Sequence, residues 1–134
     1  MIYLYTGNPG HGKTLRALWH ALKFKADGRE VYSFGIPGEK RHLTGFVPLE
    51  DPTKWQDLPD GSVVVIDECY THFPARGPGS KNPAHVEALA RHRHRGFDFI
   101  LICQLPNQID SFLRGLVHEH VHVRRKGGTH VALL

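Results

Sequence analysis

Gly7, Asn8, Pro9, Gly10, His11, Gly12, Lys13 and Thr14 follow the spacing G-x-x-x-x-G-K-[ST]. Glycines at those positions let the chain curl so that successive backbone N–H groups aim inward at phosphate oxygens. A helix opening directly after the loop adds the positive end of its dipole. Lys13 has the reach to neutralise β- and γ-phosphates, and the Thr14 hydroxyl is a ligand for Mg2+. Leu15 completes the segment expected against the phosphates, and His11 fills a position where any residue is accepted. The chemistry predicted is binding of a nucleoside triphosphate, ATP first.

Residues 62–66 form an unbroken apolar run of the kind found in a central, doubly covered strand, and Asp67-Glu68 follows at once. A carboxylate at the C-terminal edge of such a strand sits where open α/β sheets bind ligands. Asp67 is therefore the expected partner of Thr14 in holding Mg2+, and Glu68 the group expected to activate an attacking water. A second buried run at 99–103 ends in Gln104. If that strand lies beside the Asp67 strand, Gln104 faces the γ-phosphate and can orient water; the plainer reading is a strand-end glutamine in a turn before Pro106.

The elements that must position these residues alternate as in an α/β fold with a mostly parallel sheet. Strands are expected at 2–6, 31–34, 62–66 and 99–103. A helix is expected at 13–26, with Leu15, Leu18, Trp19 and Leu22 on its apolar face. Residues 35–61 read as mainly loop, interrupted by a short helix carrying Trp55, with Asp51-Pro52 as N-cap and first turn. Residues 73–83 are irregular, 84–95 are helical by pattern, and Ile109, Phe112, Leu113 and Leu116 mark a further amphipathic helix. The stretch 117–124 alternates, and Gly127-Gly128 is placed to turn an antiparallel hairpin into 129–134. One domain over 1–134 is the economical reading.

Arg91, Arg93 and Arg95 fan around the end of the 84–95 helix. Three readings stand side by side: an arginine finger reaching a neighbouring subunit, a grip on nucleic-acid phosphates, and a solvated basic helix end. Arg114 is an equal candidate for the finger. His118, His120 and His122 share one face of a predicted strand. Successive members of such a row stand nearly ~7 Å apart, poor geometry for zinc, so an exposed or partner-facing strand face is expected.

The chain has 134 residues, 40% of them hydrophobic, and a net charge of +4, which suits one globular domain with a real core and an anionic partner. No apolar run approaches the length of a membrane span, and the N-terminus lacks a secretory pattern. Cys69 and Cys103 are read as small buried residues in a reducing compartment.

The stretches Gly61 to Glu68, Phe73-Pro74-Ala75-Arg76, Arg91 to Asp98 with Ile100 to Gln104, and Ile109-Asp110 with Arg114 together resemble the zonular occludens toxin (Zot) family of filamentous-phage assembly ATPases. The His-Arg-His run followed by a strand ending in Gln is the most distinctive part; Cys103 stands where family members usually have Thr. The resemblance implies a RecA-like core with a strand inserted between the P-loop and Asp-Glu strands. It implies Mg-dependent ATP hydrolysis by a ring or other homo-oligomer at the cytoplasmic face of the bacterial inner membrane. The implied partners are phage coat proteins and packaged single-stranded DNA. It also implies a transmembrane helix and periplasmic tail beyond this domain, so the chain reads as the cytoplasmic N-terminal part of a longer, membrane-anchored protein. Two rival functions remain: a small P-loop kinase, which needs an Arg-rich lid, and a scaffold that binds nucleotide without turning it over.

Overall fold

β-Branched and aromatic residues fill the apolar runs, and each run becomes a strand of one sheet. The computed structural model describes residues 1–9, 12–126 and 129–133. Seven strands, β1 (Ile2–Thr6), β2 (Val31–Phe34), β3 (Val47–Pro48), β4 (Val63–Ile66), β5 (Asp98–Ile102), β6 (Glu119–Lys126) and β7 (Thr129–Leu133), lie in the order β3-β2-β4-β5-β1-β6-β7. Neighbours are parallel throughout except for the antiparallel pair β6 and β7. The expected C-terminal hairpin is therefore present, although Gly127 and Gly128 lie outside the described residues. β5 pairs with both β1 and β4, the inserted-strand order that the resemblance implied.

Alternate residues of the central strands face two separate cores, as pleating requires. Val63 and Val65 of β4 join Ile100 and Ile102 against α1 (Lys13–Ala26), through its Ala17, Leu18 and Ala21. Val64 and Ile66 face the other way, toward Trp55, Phe73, Leu89, Phe97 and Leu113. Helices thus cover both faces, which is why all four residues of β4 are buried.

Several elements differ from expectation. Residues 35–61 carry more structure than their Pro and Gly content suggested: α2 (Gly38–Thr44) and β3 precede the short helix at Pro52–Asp57. That short helix is capped as expected, the Asp51 carboxylate accepting from the Thr53 N–H at 3.0 Å, and Trp55 is buried with its indole N–H on the His85 carbonyl. Within 84–95 only α3 (Ala84–Glu87) is α-helical; Ala88–Arg95 tightens to 3-10 turns. His92 is buried with its Nδ1 2.6 Å from the Leu89 carbonyl. On α1 the buried face is set by two alanines and one leucine: Ala17, Leu18 and Ala21 are buried, whereas Leu15 and Trp19 stand 68% and 65% exposed.

Candidate functional site

β1 ends at Thr6 and the chain turns through the glycine-rich loop into α1. Gly7 donates its N–H to the Gln104 carbonyl at 3.1 Å. A Cβ on Gly7 would lie 2.2 Å from the Val123 carbonyl oxygen, so the close approach of β6 admits no side chain there. Gly12 takes a left-handed conformation, φ 85°, immediately before the helix. The helical ladder begins with the Arg16 N–H on the Gly12 carbonyl at 3.0 Å, which leaves the N–H groups of Lys13, Thr14 and Leu15 ahead of the ladder, as at any helix start. Asn8 and Pro9 are exposed at the loop; Gly10 and His11, also expected to line it, lie outside the described residues.

The carboxylates arrive from β4. Asp67 is partly buried, and the Thr14 hydroxyl donates to its carboxylate at 3.3 Å. Burial pushes the Asp67 carboxyl above its ordinary value, against the opposing pull of the Glu68 N–H and the Thr14 hydroxyl. Glu68 follows in a left-handed conformation, φ 49° and ψ 49°. Among the described residues no other side-chain-bearing residue has positive φ. Its N–H is tied to Asp67 Oδ1 at 2.8 Å. Gly35, at the end of β2, makes room for this corner: a Cβ there would stand 3.1 Å from the Asp67 carbonyl oxygen.

Gln104 comes from β5, between the loop strand and the carboxylate strand. Its Nε2 lies 3.5 Å from Asn8 Oδ1, and its backbone N–H and that of Leu105 both donate to Gln108 Oε1, at 3.0 and 2.9 Å. Pro9, Lys13, Thr14, Asp67, Glu68 and Gln104 line one cavity of about 240 Å3, together with Tyr70, Cys103 and Gln108. The last three were missed as lining residues. Gln108 carried a faint signal, three residues after Leu105 in a segment that Pro106 marks as a turn; Tyr70 carried none. Cys69 and Cys103 are buried free thiols, and contact with Cys103 together with burial pushes the Cys69 thiol up.

The donor set at Thr14 and Asp67, a hydroxyl and a carboxylate, is all oxygen and therefore fits a hard divalent cation such as Mg2+.

The basic and histidine residues go elsewhere. Arg93 meets His118 at 3.1 Å, just ahead of β6 and beside the start of β1, where the His118 N–H reaches the Ile2 carbonyl. That is the edge where the parallel strands begin, opposite the cavity, so Arg93 does not serve the site of its own chain. Arg95 is consumed locally by Asp60 and the carbonyls of Gln56 and Leu58. Arg114 is exposed on α4 (Ser111–Leu116). The three histidines do not act as a row: His120 and His122 converge on the buried Thr6 hydroxyl at 2.7 and 2.8 Å, while His118 turns to Arg93. Among the described residues no group of three or more His, Cys, Asp or Glu gathers as a metal site.

The zonular occludens toxin (Zot) family model matches residues 1–43 and 38–131. ORF301, named as an assembly protein of Pseudomonas phage Pf3, is 34% identical over 98% of this chain, which spans only 45% of that relative. The N-terminal domain of zonular occludens toxin from Neisseria meningitidis superimposes with a TM-score of 0.75 at 32% identity, over 98% of this chain and 81% of that one. The genome packaging NTPase of Sulfolobus turreted icosahedral virus 2, solved with ATP-gammaS, matches with a TM-score of 0.68 at 20% identity, over 94% of this chain and 76% of that one. At that identity the likeness is one of fold. By sequence and by fold, the chain belongs to the zonular occludens toxin family.

Proposed function

We propose that this chain binds ATP with Mg2+ and hydrolyses it, and that the hydrolysis drives assembly and export of a filamentous phage. The observation that carries the reading is the convergence of Lys13, Thr14, Asp67, Glu68 and Gln104, from the first turn of α1 and the C-terminal ends of β4 and β5, on a single small cavity. Lys13 and the N–H groups ahead of the α1 ladder neutralise and orient the phosphates. Thr14 and Asp67 would hold the Mg2+, which would supply positive charge against the phosphates. Glu68 accepts a proton from the attacking water, and Gln104, steadied by Asn8 and Gln108, orients that water.

Against a kinase stands the fate of Arg76, the one arginine of the 73–83 stretch. Its guanidinium is held by Asp110, Asn82 and the Ser80 carbonyl, and is not free to close over phosphates. In the whole protein we place this domain at the cytoplasmic face of the host inner membrane, as a homo-oligomer acting on coat protein and packaged single-stranded DNA. Family membership supports that placement. Among the described residues no helix is long and apolar enough to cross a membrane.

The test is steady-state Mg-ATP hydrolysis over a protein concentration series, with Lys13→Ala as control. Turnover that rises faster than linearly and vanishes in the variant supports the reading. Tight ATP binding with no turnover at any concentration leaves a nucleotide-gated scaffold instead.

A further inference from the structure

The cavity accounts for the phosphate end of a nucleotide and leaves the nucleoside without a seat. Its lining is mostly polar or charged. With Glu68 and Gln104 marking the γ end, the nucleoside must leave on the other side of the loop, over the first turn of α1. There the surface changes character. Gly12, Leu15, Arg16 and Trp19 line a separate, open cavity of about 430 Å3. Leu15 directly follows Thr14, and Trp19 lies one turn further on the same helix face. Both are large apolar residues left 68% and 65% exposed, while α1 packs on the sheet through Ala17, Leu18 and Ala21. Helical side chains lean toward the N-terminus, so the Trp19 ring leans back toward Leu15 and the loop.

We infer that Leu15 and Trp19 form the seat of the nucleobase, with the indole offering a face for stacking and Arg16 closing the edge. The inference rests on the proposed phosphate site and extends it to the part of the nucleotide that the motif does not specify. A flat aromatic face binds any purine through its π surface. The surface therefore recognises an aromatic base joined to a triphosphate, not the triphosphate alone. A second copy of the chain is the rival occupant, because exposed apolar patches also mark interfaces. Continuity with the loop favours the base: Gly12 belongs to both.

Calorimetric titration with two probes, Mg-ATP and Mg-tripolyphosphate, separates the base from the phosphates. Natural sequence, Trp19→Ala, Trp19→Phe and Lys13→Ala are compared, with sedimentation of each. Trp19 is exposed, so its truncation leaves both cores intact. Trp19→Ala should weaken ATP roughly tenfold, the scale of one lost aromatic–base stack. It should leave tripolyphosphate unchanged, and Trp19→Phe should recover most of the loss. Lys13→Ala should weaken both probes. Equal ATP affinity in Trp19→Ala and the natural sequence overturns the inference, and a fall in oligomer mass in that variant assigns the face to a second copy. Parallel loss of both probes in Trp19→Ala also overturns it. If neither probe binds the natural sequence, the phosphate site itself fails, a result distinct from failure of the base seat alone.

Discussion

Glu68 holds a backbone conformation that costs an ordinary residue about 1–2 kcal/mol, and it does so at the corner where β4 delivers its carboxylates. Strain that persists at one position is over-determined by its surroundings; here the Asp67 side chain caps the Glu68 N–H. Gly7 is the second constrained position. Gly7→Ala should drive a methyl into the Val123 carbonyl and lower stability by about 2 kcal/mol or more in urea denaturation, an overpacking cost. The chemistry-bearing residues were legible because a P-loop is written in consecutive positions, and because Asp67 and Gln104 each end an apolar run. Tyr70 and Gln108 were not legible as members of the site. They join it through folding at a distance, and nothing in their local pattern records that. Likewise His120 and His122 alternate as a strand face should, but their meeting on Thr6 depends on the register of β6 with β1.

At the scale of elements, the Phe73–Asn82 stretch and α4 are joined by one buried ion pair. Asp110 is 1% exposed, its carboxylate takes Arg76 at 2.5 Å and caps α4 through the Phe112 N–H at 2.8 Å. Burial opposes its charge, yet the bonds from Arg76 and Phe112 prevail and hold its carboxyl below the ordinary value. A carboxylate depressed in this way stabilises the fold fully above its unfolded pKa of about 3.9, and the contribution is lost as pH falls through the lower folded value. Asp110→Asn should lower stability at neutral pH, because it removes the counter-charge of Arg76, and should flatten the acid limb of the stability profile measured by thermal melts. The sequence supplied α1 in full, but not which of its faces is buried. Leu15 and Trp19 satisfy a helical apolar spacing as well as Leu18 does. Close packing of α1 on the sheet selected alanines instead, and periodicity cannot weigh that. Between residues 35 and 61 the turn-forming residues hid α2 and β3, elements short enough to be specified by their neighbours.

For the whole molecule, the strand order puts Arg93 at the edge opposite the cavity, so Arg93 could reach a γ-phosphate only in another copy. If Arg93 or Arg114 does so, its replacement by Ala should lower turnover by about 10^3-fold with ATP affinity unchanged. Mixing that variant with Lys13→Ala should then restore part of the activity, since each contributes what the other lacks at a shared interface; steady-state rates of the mixtures check this. Whether the cavity hydrolyses nucleotide or only holds it is decided by single-turnover hydrolysis and equilibrium ATP binding of Glu68→Gln. Affinity should stay close to that of the natural sequence while the hydrolysis rate falls by about 10^2–10^4-fold, the contribution of a positioned general base. Unchanged hydrolysis in Glu68→Gln, or loss of binding in step with loss of rate, would contradict the proposed hydrolysis.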